Sequence, residues 1–314
     1  MSRHLVLGAG PVGQHLAAIL VAQGDEVVLA SRSGAGPQVR GAVRRALDAT
    51  DAEAVTREAL GCVAVHNCLN PSAYHRWPQL WPPMAAALLA AAERSGATLV
   101  TASNVYPYGP VDGPMTEDLP DRPSEAKGAV RAQMWAQAKA AHDAGRVRAV
   151  ELRASNYIGA GVGDGSVINR VMPVALAGKG VRGLGDVTQP HSWTDVADVA
   201  RAMAVVATHE EAWGRVWHVP TNAPRTFTEA VTDVLAAAGR PPVAVSAYPD
   251  WFLAMGGVFV PLLRELRTTA YQFDRPFVLD SSAMTRTFGL EPTPWAEVCR
   301  RTAGIPDEAG TVAA

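Results

Sequence analysis

Three glycines near the start of the chain have the spacing of a phosphate-binding loop. The loop follows the pattern GxGxxG, and its residues are Gly8, Ala9, Gly10, Pro11, Val12 and Gly13. Gly8 permits a tight turn, Gly10 lets the backbone approach a pyrophosphate, and Gly13 lets the following helix pack closely on the strand. The N-terminus of that helix offers free N–H groups and the positive end of its dipole to phosphates. Because the apolar run His4–Leu7 comes directly before the loop, the sequence predicts a dinucleotide site rather than a glycine turn without a ligand.

The type of dinucleotide depends on the residues after the second predicted strand, Glu26–Ala30. NAD-specific sites usually place an acidic residue there, which holds the ribose hydroxyls. This chain instead has Ser31, Arg32 and Ser33. The arginine offers a planar group suited to a 2′-phosphate, so we predict NADP rather than NAD; the alternative is a solvated surface arginine. Asp48 falls where such folds place a residue near the adenine, although an ordinary turn aspartate is an equal alternative.

Four segments of the chain have the order and spacing of one known family. They are GAGPVGQHLAAIL at the start, ASNVYPYGP after the fifth predicted strand, LRASNYIGAG after the sixth, and HSWTDVADVARAM near residue 195. Together they resemble the extended short-chain dehydrogenases/reductases of the NAD-dependent epimerase/dehydratase family, over roughly residues 3–235. The resemblance implies a nicotinamide coenzyme and chemistry carried by a Ser or Thr, a Tyr, and a Lys four residues after the Tyr.

The catalytic positions of that family are only partly matched. Ser103 falls on the position of the Ser, which polarises the substrate oxygen. No tyrosine lies between Tyr108 and Tyr157, so the Tyr-x-x-x-Lys pair is missing. The best alignment puts Lys127 in the Tyr position and Arg131 in the Lys position, which is the KGxxR pattern of atypical members. Arg131 could bond the ribose hydroxyls but would not donate a proton at neutral pH. Lys127 could act as acid or base if its pKa were lowered, or could simply be solvated.

Further residues at the ends of predicted strands are candidates for the same site. Tyr106 and Tyr108 follow the fifth strand, where parallel sheets bind ligands, and either could replace the missing phenol or pack the loop. The remaining candidates are the substrate contacts Asn156, Tyr157 and His191 and the cofactor contact Asn67. For the histidine, a purely structural role is the alternative.

Alternating strands and helices must position these residues. The predicted strands are His4–Leu7, Glu26–Ala30, Ala42–Leu47, Cys62–His66, Thr98–Ala102, Val147–Leu152 and Val216–Val219. The predicted helices are Val12–Ala22, Ala52–Leu60, Pro82–Ser95, Lys127–Ala144, Trp193–Ala207 and Thr228–Ala238. This alternation predicts an α/β fold, a Rossmann doubly wound parallel sheet with helices on both faces. We expect residues 1–155 to form it with a return segment at about 186–222, and residues 156–185 and 223–314 to form a smaller substrate-binding domain.

Composition narrows the class of protein. The chain has 314 residues, of which 48% are hydrophobic and 18% charged, and a net charge of −2, so nothing favours binding to nucleic acid or to an anionic membrane. The apolar runs are shorter than a bilayer span, and the N-terminus enters a strand pattern at once, so we expect neither a membrane anchor nor a signal peptide. Cys62, Cys68 and Cys299 have no metal-binding spacing, so we predict no metal site and a reducing cytoplasm.

Two functions are compatible with these features. One is an NADP(H)-dependent oxidoreductase, or an epimerase/dehydratase-like enzyme, acting on a small carbonyl or hydroxyl substrate with a non-standard acid/base. The other is a non-catalytic NADP(H)-binding redox sensor or regulatory protein, which the missing Tyr-x-x-x-Lys favours. Either could form a homodimer. Aromatic residues late in the chain suggest a pocket less polar than a nucleotide sugar would need, or the core of the smaller domain: Trp251, Phe252, Phe259, Tyr271, Phe273 and Phe277.

Overall fold

A computed structural model describes residues 1–249 and 268–306 of the chain. Its strands are β1 (Arg3–Leu7), β2 (Glu26–Ser31), β3 (Ala42–Ala46), β4 (Ala64–Asn67), β5 (Thr98–Asn104), β6 (Arg148–Ala154), β7 (Asn156–Ile158), β8 (Val181–Gly183), β9 (Trp193–Asp195), β10 (Val216–His218) and β11 (Val245–Ala247). Seven of them form one parallel sheet in the order β3-β2-β1-β4-β5-β6-β10. The other four make two short parallel pairs, β7 with β9 and β8 with β11.

Helices cover both faces of the large sheet. They are α1 (Pro11–Ala22), α2 (Ala52–Ala59), α3 (Trp77–Ser95), α4 (Ala126–Asp143), α5 (Val167–Leu176), α6 (Val196–Val206), α7 (Phe227–Ala237), α8 (Ser282–Phe288) and α9 (Trp295–Thr302). Helices α1 and α6 pack on one face, and α2, α3 and α4 pack on the other. The central strands β1, β2 and β4 are buried on both faces, which explains the apolar runs of β1 and β2, whereas the edge strand β3 is largely exposed. The predicted doubly wound α/β fold is confirmed. In residues 1–249 and 268–306, no helix combines the length and the apolar character needed to cross a bilayer.

Two predicted elements are corrected by the structure. Helix α3 begins at Trp77, five residues before the predicted start at Pro82, because Trp77 and Trp81 are fully buried and their packing outweighs the helix-breaking effect of the prolines. The segment predicted as one helix, Trp193–Ala207, begins instead as strand β9, which pairs with β7. Asp195 ends that strand and caps α6, since its carboxylate accepts a hydrogen bond from the Ala197 N–H at 3.2 Å.

A third apolar cluster lies apart from the two sides of the sheet. Its buried members come mainly from residues 156–185, α7 and the C-terminal part of the chain: Ile158, Ile168, Met172, Ala175, Val181, Trp193, Phe227, Ala230, Val231, Val234, Leu235, Phe273, Val298 and Cys299. Met284 of α8 joins the core between the sheet and α1 and α6 instead. Most of this cluster therefore comes from segments predicted to form the smaller domain, and the division into two domains stays a prediction. Residues 250–267 and 307–314 of that predicted domain lie outside the described residues.

Candidate active site

The glycine loop has the geometry that a diphosphate site needs. Gly8 ends β1 with φ at +110°, and a Cβ there would lie 2.4 Å from the carbonyl oxygen of Cys68. A Cβ at Gly13 would lie 1.9 Å from the Gly8 carbonyl oxygen, so only glycine lets α1 pack on the loop. A Cβ at Gly10 would meet no atom within 4 Å, and no side chain of the described residues caps α1. Gly10 therefore leaves open space beside a helix end that can bind an anion.

A cavity of about 440 Å³ extends from this loop across the carboxyl ends of the central strands. It lies where the strand order reverses between β1 and β4, the position at which open α/β sheets bind ligands. The cavity brings together nine of the predicted site residues: Gly8, Gly10, Pro11, Val12, Ser103, Tyr106, Arg131, Asn156 and Tyr157. The predicted residues that do not line it are Gly13, Ser31, Arg32, Ser33, Asp48, Asn67, Tyr108, Lys127 and His191.

The end of β2 forms a braced turn beside the glycine loop. The Ser31 hydroxyl donates to the carbonyl oxygen of Ala35 at 3.1 Å, and the Ser33 hydroxyl accepts from the Ala35 N–H at 3.2 Å. Arg44 of β3 donates to the carbonyl oxygens of this turn as well. Arg32 is exposed on it. The turn therefore presents one exposed guanidinium and two hydroxyls, with a second arginine behind them.

Two predicted cofactor residues cap turns in this structure. The Asp48 carboxylate accepts from the N–H and the hydroxyl of Thr50 at 2.9 and 2.8 Å, and these bonds lower the pKa of Asp48. The Asn67 amide oxygen accepts from the N–H of Leu69 at 3.2 Å. Both side chains thus make hydrogen bonds within their own turns. A contact of either one with the cofactor stays a prediction.

Arg131 is held by aromatic faces. Its guanidinium carbon lies 3.9 Å from the ring centre of Trp81 and 5.1 Å from that of Trp77, and all three side chains are buried. Its Nη1 donates to the carbonyl oxygen of Ala102 at 3.5 Å, next to Ser103 at the end of β5. Burial lowers the pKa of Arg131 from its very high ordinary value. A fixed cation is therefore held at the backbone of the residue before Ser103.

The Lys127 side chain contacts a threonine and a glutamate outside the cavity. Glu125 caps α4, and its carboxylate accepts from the N–H groups of Lys127 and Gly128, each at 2.7 Å. The Lys127 ammonium donates to the Thr268 hydroxyl at 3.0 Å and lies 4.0 Å from the Glu125 carboxylate. The side chain is buried but does not line the cavity. The structure thus places Lys127 between its own helix cap and the C-terminal part of the chain.

The two tyrosines after β5 have different surroundings. Tyr106 lines the cavity, and its ring stacks on Trp77 with 6.3 Å between the ring centres. Tyr108 is buried away from the cavity, and its hydroxyl donates to Nε2 of His218 at 2.7 Å. The histidine in turn donates from Nδ1 to the carbonyl oxygen of Asp280 at 2.7 Å. Burial lowers the pKa of His218 to about 4, so it stays neutral and accepts from the phenol.

Asn156 is fixed from behind by a buried hydrogen-bond network. Its amide nitrogen donates to Nε2 of His191 at 2.9 Å and to the side-chain oxygen of Gln272 at 3.0 Å. His191 donates from Nδ1 to the Gln272 carbonyl oxygen at 3.1 Å and stacks on Phe273. Burial lowers the pKa of His191 to about 3. The histidine is therefore a neutral support for Asn156 in this structure.

Several polar atoms at the cavity have no hydrogen-bond partner in the described part of the chain. The buried Ser103 and Ser155 hydroxyls, Arg131 Nε and Gln272 Nε2 find no hydrogen-bond partner among the described residues. All four residues line the cavity. A buried polar group without a partner costs free energy, so these atoms are expected to bond a ligand or water. Within the described part of the chain, no group of three His, Cys, Asp or Glu side chains is arranged to hold a metal ion.

Sequence reasoning missed part of the cavity wall. The residues not anticipated include Leu69, Asn70, Tyr74, Trp77, Ser155 and Gln272, together with Trp81, which packs on Arg131. One signal was available, because Trp77 and Trp81 are four residues apart and would share a helix face. The prolines around them argued against a helix and hid this pairing.

Comparison with known proteins gives one family and several similar structures. The family model for the NAD dependent epimerase/dehydratase family matches residues 4–219. No curated protein matches the sequence. A dTDP-glucose 4,6-dehydratase from Bacillus anthracis, in complex with NAD, superposes with a TM-score of 0.77 at 17% identity and covers 97% of this chain and 96% of its own.

Two further structures are comparably similar. A dTDP-glucose 4,6-dehydratase from Streptomyces venezuelae, with NAD and TYD bound, gives a TM-score of 0.76 at 22% identity, with coverage of 96% of this chain and 95% of its own. A UDP-glucose 4-epimerase from Thermotoga maritima, with UDP-glucose, gives 0.77 at 18% identity, with coverage of 96% and 97%. At these identities the likeness shows the shared fold.

Proposed function

The chain belongs to the NAD-dependent epimerase/dehydratase family, and from that membership we propose that it is an NADP(H)-dependent oxidoreductase, or an epimerase/dehydratase-like enzyme, that acts on a small carbonyl or hydroxyl substrate. The membership confirms the resemblance predicted from the motifs and, with it, the class of nicotinamide-dependent enzymes. One observation carries the proposal: a single cavity joins the glycine loop to Ser103 and Arg131. The coenzyme site and the polar groups that can act on a substrate therefore share one space.

The residues at the loop fit a dinucleotide. The open space at Gly10 and the uncapped N-terminus of α1 accept the diphosphate. Arg131 is placed to bond ribose hydroxyls, since its Nε has no partner among the described residues. When bound, the reduced coenzyme supplies a hydride to the substrate carbonyl carbon. Ser103 then polarises the carbonyl oxygen with its buried hydroxyl, and Asn156 orients the substrate beside it.

The braced turn at the end of β2 supports NADP as the coenzyme. Arg32 is exposed there with the hydroxyls of Ser31 and Ser33 on either side, and no acidic residue follows the strand. A guanidinium binds a phosphate through two parallel hydrogen bonds, so this turn suits the 2′-phosphate of NADP. Two of the similar structures carry NAD, and this chain is proposed to differ from them at this turn.

The cavity wall supports a substrate less polar than a nucleotide sugar. Its large side chains are mostly aromatic, namely Tyr74, Trp77, Tyr106, Tyr157 and Phe277. Among the described lining residues, Arg131 is the one charged side chain, and its faces are covered by tryptophans. We therefore propose a small ketone, aldehyde or alcohol with an apolar body. Of the aromatic residues predicted for this pocket, Trp251, Phe252 and Phe259 lie outside the described residues.

Calorimetric titration with NADPH and NADH tests the coenzyme assignment. The wild-type protein should bind NADPH more tightly than NADH, and Arg32→Ala should weaken NADPH binding by about tenfold or more, or roughly 1.4 kcal/mol. Binding of NADH should not change in this variant. Arg57→Ala removes an exposed arginine from α2 and serves as the matched control. Equal binding of both coenzymes would overturn the NADP assignment, and binding of neither would overturn the proposed function.

A second experiment tests catalysis. NADPH consumption is followed with a panel of ketones and aldehydes, for the wild type and for Ser103→Ala. The proposal expects turnover that the variant loses. A non-catalytic role is the alternative, favoured by the position of Lys127, whose ammonium is bound to Glu125 and Thr268 outside the cavity. Tight NADPH binding without turnover of any compound in the panel would support that alternative.

A further inference from the structure

Helix α4 does not supply a phenol or an ammonium to the cavity. Lys127 stands where the family places its tyrosine, yet its ammonium is directed to Thr268 and Glu125. Arg131, one turn later, stays protonated at neutral pH and cannot exchange a proton. A proton carrier for the substrate oxygen must therefore come from another element.

Gly128 brings one such element against the start of α4. A Cβ at this position would lie 2.5 Å from the carbonyl oxygen of Tyr106 and 3.0 Å from the Cβ of Pro123. The turn at Tyr106–Tyr108 therefore packs closely on the first turn of α4. A residue larger than glycine at position 128 would not allow this approach. Asn104 holds the beginning of this turn, since its side-chain oxygen accepts from the Tyr106 N–H at 3.1 Å.

The ring of Tyr106 shares a neighbour with Arg131. Tyr106 stacks on Trp77 with an angle of 28° between the planes, and the same tryptophan ring faces the guanidinium. Both Tyr106 and Arg131 line the cavity together with Ser103. The phenol, the guanidinium and the serine hydroxyl, which come from three different elements, thus line one cavity.

Two of the other nearby phenols have hydrogen bonds of their own. Tyr108 donates its proton to His218. The Tyr74 hydroxyl accepts from the side-chain amide of Asn70 at 3.3 Å, and its ring stacks on Trp77 at the outer side. Tyr157 lines the cavity as well and packs against the apolar core beneath α1 and α6, so the variants below have to separate it from Tyr106. Tyr106 is the phenol that the turn after β5 brings to the cavity that Ser103 also lines.

We propose that Tyr106 carries the proton for the substrate oxygen, and that Gly128 and Trp77 are positioning residues that hold it there. The inference rests on the proposed oxidoreductase function. In the reductive direction the carbonyl carbon gains a hydride and the electron pair of the carbonyl bond passes to oxygen. The Tyr106 hydroxyl gives its proton to that oxygen, which completes the alcohol, and the phenolate then takes a proton from solvent.

The surroundings of Tyr106 favour proton donation over proton removal. Burial raises the pKa of Tyr106, so the group is a neutral phenol over the physiological range. A neutral phenol can donate to a developing alkoxide, which is far more basic. An oxidised coenzyme bound nearby carries a positive charge that favours the phenolate. The pKa of Tyr106 should therefore fall when NADP⁺ is bound.

Two readouts test the assignment in the full-length protein. The first is turnover of NADPH with the ketone and aldehyde panel, where Tyr106→Phe should lose about 100-fold or more, the range of a general acid. The second is a spectroscopic pH titration of tyrosinate with NADP⁺ or NADPH bound, which needs no substrate. The wild type should show a phenol whose pKa is lower with NADP⁺, and Tyr106→Phe should lack this difference. Tyr248→Phe, in the C-terminal part near Arg182, is the matched control and should keep both.

The outcomes separate this inference from the proposed function. Phenylalanine keeps the stacking on Trp77, so the variant should fold and bind NADPH as the wild type does. If the wild type binds no coenzyme, the proposed function itself fails. If it binds NADPH but the coenzyme-dependent titration persists in Tyr106→Phe, or turnover of that variant stays within twofold of wild type, another group carries the proton. Loss of both signals in Tyr157→Phe alone would move the role to Tyr157.

Discussion

The guanidinium carbon of Arg131 lies 3.9 Å from the centre of the Trp81 ring; both side chains are buried, and Arg131 lines the cavity. Burial lowers the pKa of Arg131, and the charge of the buried Glu151 raises it. Trp81 and Trp77 face the guanidinium, and its Nε has no partner among the described residues. A cation held by its faces keeps its N–H edge for a ligand, which suits a residue in a coenzyme site.

The contact between Arg131 and Trp81 should be measurable as a coupling energy. Trp81→Leu and Arg131→Met each remove one partner, and the double variant removes both. We expect the two changes to be non-additive in urea unfolding by about 1–2 kcal/mol, because a desolvated cation–π contact is worth roughly that much. A coupling near zero would show that Arg131 is stabilised by other groups.

Alanine variants of two glycines in the loop should change different properties, stability for Gly13→Ala and NADPH binding for Gly10→Ala. A Cβ at Gly13 would lie 1.9 Å from the Gly8 carbonyl oxygen, so Gly13→Ala should lower the free energy of unfolding by about 1–3 kcal/mol or more. A Cβ at Gly10 meets no atom within 4 Å, so Gly10→Ala should fold like wild type but bind NADPH about tenfold or more weakly. Thermal unfolding and calorimetry measure the two quantities. Normal NADPH binding by the Gly10 variant would place the diphosphate elsewhere.

The sequence was sufficient to predict the sheet and the coenzyme end of the site. Strands β1 and β2 contain apolar runs, and the glycine pattern fixes the turn after β1 locally. The alternation of strands and helices then predicts a parallel sheet with helices on both faces. These features depend on residues that are close together in the chain, so they can be predicted from the sequence pattern alone.

The substrate end could not be predicted in the same way. Gln272 reaches Asn156 across 116 positions, and Trp77 meets Arg131 from a different helix, so neither contact leaves a local pattern. The sequence also left Tyr106 and Tyr108 as equal candidates. Their difference arises from the 3₁₀ turn Tyr106–Tyr108, which places one ring at the cavity and the other against His218.

Tyr108→Phe should lower the free energy of unfolding without changing the affinity for NADPH. The change leaves Nε2 of His218 as a buried acceptor with no donor, which costs about 1–3 kcal/mol. NADPH binding should match wild type, because Tyr108 does not line the cavity. Urea unfolding and calorimetry check both statements. A large loss of NADPH affinity with unchanged stability would contradict this reading of the two tyrosines.

His66 forms a buried pair with His4 between β1 and β4. Nδ1 of His4 lies 3.0 Å from Nε2 of His66, and Nε2 of His4 lies 3.5 Å from the carboxylate of Asp25. Nδ1 of His66 has no partner among the described residues. Burial holds the pKa of His66 well below its usual range, with the neighbouring His4 adding to the effect. Protonation of this pair therefore opposes folding.

Acid should destabilise the protein partly through His66. In the unfolded chain a histidine titrates near pH 6.5, and in the folded protein His66 titrates well below that, so the unfolded state binds more protons as the pH falls below 6.5. Stability from this group is complete well above pH 6.5 and should decline by roughly 1 kcal/mol between pH 6.5 and pH 5.5. Asp195 acts in the opposite direction, because burial raises its pKa to about 6 and the folded protein gains stability as it is protonated. His66→Gln removes the contribution of His66 and keeps those of Asp195 and of the other buried histidines, His191 and His218. The variant should therefore lose less stability than wild type between pH 7 and pH 5.5, as measured by urea unfolding at each pH. Equal losses in the two proteins would mean that His66 does not control the acid response.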